Sequence, residues 1–160
     1  MRRIIVAIVF IVLAQGLALG QSKSERKGWV YGFGGVGGGT SGNSDALIHV
    51  GGGGEGYFGN GAGIGAEIGY LTSTRNTGSG IALASVNGSY HFNRSGKAVP
   101  FLTGGASIAG AGFASGGGNF GGGVNYWMNN RFGLRFEVRD HIFSSDRAHT
   151  VIFRVGLSFH

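Results

Sequence analysis

RFGLRFEVRDHIFSSDRAHTVIFRVGLSFH, the stretch from Arg131 to His160, holds two runs of strict alternation joined by a short polar segment. Phe132, Leu134, Phe136 and Val138 alternate with Arg131, Gly133, Arg135, Glu137 and Arg139. Val151, Phe153, Val155, Leu157 and Phe159 alternate with Ile152, Arg154, Gly156, Ser158 and His160. A period of two is that of extended strands with one apolar and one polar face. A turn at Ser144, Ser145, Asp146 and Arg147 sets Phe143 opposite Ala148 and fixes an antiparallel register. Phe132 then faces Phe159, Leu134 faces Leu157, Phe136 faces Val155, and Glu137 faces Arg154 on the other side. Apolar meets apolar and acid meets base, as cross-strand contact favours. The apolar stripe has the length of a membrane-crossing strand, about 9–11 residues. A soluble sandwich strand is the competing reading, and the rest of the chain must decide.

Residues 1–20 read as a cleaved secretory signal, with Arg2 and Arg3, an apolar run from Ile4 to Leu13, and Ala18-Leu19-Gly20 before the cut. The apolar run is shorter than the roughly 20 residues a spanning helix needs. No Cys follows the cut, so the signal is not of the lipoprotein kind. Residues 21–27, which carry Lys23, Arg26 and Lys27, form a short periplasmic tail, and residues 28–160 form one domain. Removing Arg2 and Arg3 from the 13 basic residues leaves 11 against 7 acidic, a net charge of +4. The basic residues are spread thinly and do not interleave with aromatics, so nucleic acid is not an expected partner. The chain has no Cys, and its stability must come from something other than disulfides.

Glycine makes up 36 of 160 residues and proline only one. These glycines fall inside alternating patterns with large aromatics, which argues for strands rather than a disordered linker. Eight segments alternate: Gly28–Gly39, Ala46–Phe58, Gly61–Leu71, Gly80–Phe92, Ala98–Gly110, Gly116–Trp127, Arg131–Phe143 and Ala148–His160. The gaps between them are tight and rich in Gly and Asn at Gly59-Asn60, Asn93–Lys97 and Met128–Asn130. They are longer and polar or small at Thr40–Asp45, Thr72–Ser79, Ala111–Ser115 and Ser144–Arg147. An even strand number with tight turns at one end and longer loops at the other predicts an all-β, eight-stranded, antiparallel up-and-down transmembrane β-barrel.

Aromatic placement points the same way. Trp29, Tyr31, Tyr57, Phe58, Tyr90, Phe92, Phe101, Tyr126, Trp127, Phe132 and Phe159 all fall at the rim beside the tight turns, as an interfacial girdle requires. Tyr70, Phe113 and Phe143 fall at the other rim, a thinner second belt. Strand three sets Ala62, Ile64, Ala66, Ile68 and Tyr70 against Gly63, Gly65, Glu67 and Gly69. Strand four sets Ala82, Ala84, Val86, Tyr90 and Phe92 against Ser85, Asn87, Ser89 and His91. A turn at Met128–Asn130 pairs Tyr126 with Phe132 and Val124 with Leu134, and brings Gly121 and Gly123 opposite Glu137 and Arg135. Glycine there would leave room for long charged side chains in a narrow lumen.

The eight strands, the run GGGVNYW at Gly121–Trp127, RFGLRFEVRDH at Arg131–His141 and the closing VIFRVGLSF at Val151–Phe159 resemble the small outer-membrane β-barrel family of the OmpA and OmpX types. The resemblance covers the whole mature chain. It implies an integral outer-membrane protein, surrounded by lipid and inserted by the barrel-assembly machinery, which reads a terminal aromatic. In this chain the aromatic is Phe159, one residue before the end. No peptidoglycan-binding domain of the OmpA kind is expected after the barrel.

Enzyme motifs fail on context. Gly32–Gly37 fits G-x-G-x-x-G, but Gly38-Gly39-Thr40-Ser41-Gly42-Asn43 cannot open the helix that a dinucleotide site needs. His49, His91, His141, His149 and His160 lack metal-ligand spacing and read as isolated surface histidines, with His141 and His149 able to approach near an outer loop. No catalytic, cofactor or metal site is expected. One polar constellation stands out on the inward face: Glu137 and Arg154, with Arg135, Arg139, Glu67 and Glu55 as possible partners. Charges in a dry interior must be paired. An ion-paired plug is therefore expected, in a protein of structural or interactive role; a monomer is favoured over an oligomer. A narrow solute channel is one alternative. A soluble, lipocalin-like carrier, with apolar residues inward, is the other.

Overall fold

The computed structural model describes residues 27–40, 45–58, 61–94, 96–110, 114–144 and 149–160. The expected signal, the tail up to Arg26, Ala148 and Phe113 lie outside them.

Eight strands follow one another: β1 (Gly28–Gly39), β2 (Leu47–Phe58), β3 (Ala62–Ser73), β4 (Ile81–His91), β5 (Ala98–Gly110), β6 (Ala114–Trp127), β7 (Phe132–Phe143) and β8 (His149–Phe159). Each pairs antiparallel with the next, and β8 pairs with β1 to close the barrel. Closure leaves no sheet edge, so every strand satisfies its backbone groups within the sheet. The β7–β8 register is the one the alternation predicts, with Phe132 opposite Phe159, Leu134 opposite Leu157, Phe136 opposite Val155 and Glu137 opposite Arg154. Gly61 and Asn93 take positive φ, 111° and 51°, at two of the tight turns.

The β6–β7 register differs from expectation by two residues. Tyr126 faces Leu134, Val124 faces Phe136, Gly123 faces Glu137 and Gly121 faces Arg139. The cause is Asn129, whose Oδ1 accepts hydrogen bonds from the backbone N–H groups of Arg131 (2.8 Å) and Phe132 (2.9 Å). That holds the turn at Asn129–Arg131, one residue late, while Met128 N donates to Phe132 O. A shift of two leaves the faces of both strands unchanged.

Alternation assigns the faces. Ile64, Ile68, Val86, Leu102, Phe153 and Val155 point outward, Ile68 and Phe153 being 65% and 62% exposed. Glu67, Asn87, Asn119, Arg135, Glu137, Arg139 and Arg154 are buried inside. This is the reverse of a lipocalin-like carrier, and that alternative fails. The same parity divides the expected aromatic girdle in two. Phe58, Tyr90, Phe92, Tyr126 and Phe132 are exposed, whereas Trp29, Tyr31, Phe101 and Trp127 are buried in the lumen. Of the second belt, Tyr70 is exposed, but Phe143 stacks on His141 with ring centroids 6.2 Å apart.

Inward glycines let neighbouring strands approach closely, and at Gly51, Gly53, Gly63 and Gly69 they also make room for the side chains of Phe33, Tyr31, Glu55 and His49. A Cβ on Gly123 would overlap the carbonyl oxygen of Phe136, one on Gly37 that of Val151, and one on Gly105 that of Val86. These are backbone atoms of the neighbouring strand, and a small barrel bends its strands together at such points. Outward-facing Gly34, Gly38 and Gly116 have nothing within 4 Å of the same position.

Candidate functional site

The lumen is filled by three layers of side chains, placed there by odd-numbered positions along β1, β2, β3, β4, β5, β6 and β7 and even-numbered ones along β8. In the middle layer Glu137 is the hub. Arg135 Nε donates to its Oε2 at 2.9 Å, Arg139 Nε to its Oε1 at 2.5 Å, and Arg154 Nη1 to Oε1 at 3.4 Å. The two arginines on β7 lie two residues either side of Glu137, so alternation alone aims all three inward. Glu67, from β3, takes Arg154 Nη2 at 2.8 Å, Arg139 Nη2 at 3.8 Å and the Tyr31 hydroxyl at 3.1 Å. Asn119 Oδ1 accepts from Arg139 Nη1 at 2.9 Å. The guanidinium of Arg135 lies 4.4 Å from the Tyr31 ring centroid and 4.0 Å from that of Phe101, and Arg154 lies 3.4 Å from that of Phe33. Flat cations stacked on rings and bound to carboxylates leave little of their charge unmet.

Glu55 stands apart from this network. Its Oε1 meets His91 Nε2 at 2.5 Å and accepts the Ser89 hydroxyl. This pair belongs to the layer beside the tight turns, where Trp29 packs edge-on against Tyr57 (4.7 Å) and His91 (4.9 Å), and against Trp127 at 5.3 Å. His91 stacks on Phe101 at 5.3 Å, and Val99 closes the layer. The third layer, toward the longer loops, holds His49, Leu71, Leu83, Ala109, His141 and Ile152, all buried. Here the rings of His49 and His141 lie 6.0 Å apart. Ser107 Oγ lies 3.3 Å from His141 Nδ1 and accepts from Asn119 Nδ2 at 2.8 Å. That serine and histidine are sealed in the interior and present no nucleophile to an outside substrate.

The six expected lumen charges are thus all inward, five in one network and Glu55 in another. Three histidines read as surface groups, His49, His91 and His141, are instead lumen residues. Their signal was available: His49 shares the parity of Glu55 on β2, and His91 that of Ser85 and Asn87 on β4. His149 meets Asp140 at 2.7 Å on the loop rim, whereas His141 is buried in the lumen. Among the described residues no group of three His, Cys, Asp or Glu side chains is arranged to hold a metal. Phe159 sits opposite Phe132, ring centroids 5.3 Å apart, on the outer surface of the closing strands.

An apolar exterior, a closed eight-stranded sheet and a charged, filled interior define a small transmembrane β-barrel of the outer-membrane type. Solved structures agree. Neisserial surface protein A superposes with a TM-score of 0.68 at 14% identity, covering 83% of this chain and 96% of that one. The N-terminal β-barrel domain of Pseudomonas aeruginosa OprF gives 0.63 at 15%, covering 82% and 96%. Ail, the attachment invasion locus protein of Yersinia pestis, gives 0.56 at 10%, covering 82% and 96%. At these identities the common property is the fold. No family model matches the sequence, and no curated protein is significantly similar to it.

Proposed function

We propose that the chain is a small integral outer-membrane barrel, its tight turns and both termini in the periplasm, with a structural or interactive role rather than steady solute conduction or catalysis. The observation that carries this is the filled lumen: Glu137 held by three arginines, with Trp29, Trp127, Phe101 and Val99 packed across one side. A permanent aqueous path would have to cross both a locked ion network and an apolar layer. The partners of this reading are outer-membrane lipid and the barrel-assembly machinery, the latter engaging Phe159, and the barrel works as a monomer.

One observation favours a narrow channel as the second reading. Glu67 Oε1, Arg135 Nη1 and Arg154 Nε face no hydrogen-bonding protein partner, and buried groups of this kind call for water. Planar-bilayer recording of the refolded protein separates the two. No steady current is expected, and a stable ion-selective conductance would replace the plug reading with the channel. Cell fractionation with unheated gel electrophoresis tests the setting. The protein should stay with the outer membrane and change mobility on boiling, and recovery as a soluble periplasmic protein would refute the proposal.

A further inference from the structure

The two ends of the barrel differ in charge. At the loop end, Asp45 pairs with Arg75 at 2.9 Å and Asp140 meets His149 at 2.7 Å. The turns at the other end, 59–61, 92–97 and 128–131, contain no Asp or Glu but hold Arg94, Lys97 and Arg131. Lys27 joins them at the same height. Its carbonyl oxygen accepts from Tyr57 N (2.7 Å), as that of Lys97 does from Trp127 N (2.8 Å) and that of Arg131 from His160 N (3.0 Å). Lys27, Lys97 and Arg131 have the inward parity of Trp29, Val99 and Arg135, so they stand over the mouth of the lumen, and all three are exposed. No ion pair among the described residues involves any of them. Arg94 reaches the same opening, its guanidinium 4.6 Å over the ring of Tyr57. Glu55, in the layer beneath, is engaged by His91 and Ser89.

Charges of one sign around a low-dielectric opening focus a potential over it, here a positive one. Eight strands about 4.8 Å apart and tilted about 40° close into a ring about 16 Å across. Lys27, at the start of β1, and Lys97, at the start of β5, stand half a turn apart on that ring, and Arg131, at the start of β7, stands between them. A small anion can reach only one or two of these cations at a time, whereas an extended chain can lie across them all. The rings beneath are closed to stacking: Trp29 and Trp127 are 5% and 2% exposed, and Arg94 covers Tyr57. A nucleic acid or a sugar chain finds no open aromatic face there, while carboxylates ask only for cations. We propose that this mouth binds an acidic, extended segment of a partner polypeptide, laid across the opening over about five residues of strand-like chain. The site gives the interactive role proposed above a place and a chemistry. It rests on that reading only for the compartment in which the partner lies.

The test uses the mature chain refolded in uncharged detergent micelles, which leave both mouths open. Rhodamine-labelled hexaglutamate is titrated at about 0.15 M salt and followed by fluorescence anisotropy. One peptide should bind per barrel, more weakly as salt rises, and labelled hexaglutamine should not bind. Each of Lys27→Gln, Lys97→Gln and Arg131→Gln should weaken binding about two- to fivefold, and the triple variant about tenfold or more. Arg75→Gln, at the other rim, should leave it intact. If the triple variant does not refold, the three single variants decide. Absence of binding, equal binding of hexaglutamine, or binding that the mouth variants leave unchanged would overturn the proposal. So would tighter binding of an oligogalacturonate of equal charge, whose carboxylates sit on a sugar chain. Bilayer recording and cell fractionation report separately on the plug and the membrane setting, so failure of that reading is distinguishable from failure of this one.

Discussion

Glu67 on β3 and Arg154 on β8 meet at 2.8 Å, although β1 and β2 separate their strands in the sheet. The contact runs across the lumen rather than along its wall. It is shorter than the 3.4 Å between Arg154 and Glu137, which face each other on neighbouring strands. Arg154 is thus shared by two carboxylates, one from each side of the barrel.

Removing one member of this network should leave a buried charge without a partner, at about 3–5 kcal/mol. Glu137→Gln strands three arginines around a single carboxylate and should be the worst of the single changes. Combining it with Arg154→Met should cost much less than the two separately. Urea unfolding of the refolded barrel gives the double-mutant cycle. A coupling below about 0.5 kcal/mol, the size of ordinary non-additivity, would mean that solvent screens the pair.

Charge on the outer wall should be punished by depth. Val155, mid-strand on β8 and exposed, faces the bilayer interior, and Val155→Arg should cost roughly 2–4 kcal/mol. Leu134 lies two residues from the start of β7, so Leu134→Arg should cost less, toward about 0–1 kcal/mol as the interface nears. Equal unfolding midpoints for both variants and the parent would contradict a lipid-facing wall.

Glycine substitutions should sort by face. Gly123→Ala forces a methyl into the carbonyl of Phe136 and should slow or prevent closure of the barrel. Gly34→Ala meets open space and should refold like the parent. Comparing the heat-dependent gel shift of the two variants checks this, and a normal shift for Gly123→Ala would dismiss the curvature argument.

Deleting Phe159 with His160 removes the ring facing Phe132 and the hydrogen bond from His160 N to Arg131 O. Insertion should suffer. Deleting His160 alone makes Phe159 terminal and should be harmless. Assembly yields in cells test both, and poorer assembly from the shorter deletion would show that a terminal aromatic is not what the machinery reads here.

Much of this architecture was legible because parity in a strand is binary. Once Phe132 to Val138 and Val151 to Phe159 are read as stripes, the faces of Glu137 and Arg154 follow, and so does their register. The β6–β7 slip was not legible, because it depends on the Asn129 side chain capturing two backbone N–H groups, which composition does not reveal. Trp29 and Tyr31 were read as girdle residues because β1 carries glycine on both faces, at Gly32 and Gly34 outside and at Gly35 and Gly37 inside. That hides which parity is apolar. The Glu67–Arg154 contact lay furthest out of reach. Contacts across a lumen depend on barrel diameter and stagger, and no pairwise register supplies either.

The seam where β1 meets β8 joins the two ends of the domain, while every other pairing is between neighbours in sequence. Of the ten β1 residues along it, six are glycine. Such a strand offers almost no side chains to grip its partner, and glycine-rich pairings slide easily. Alignment must therefore come from the few bulky groups present, above all Phe33, on whose ring the Arg154 guanidinium rests. The interior then acts as a key that fits only one alignment of the last strand against the first. A variant with a weakened interior would be expected to close out of step as well as to unfold more easily.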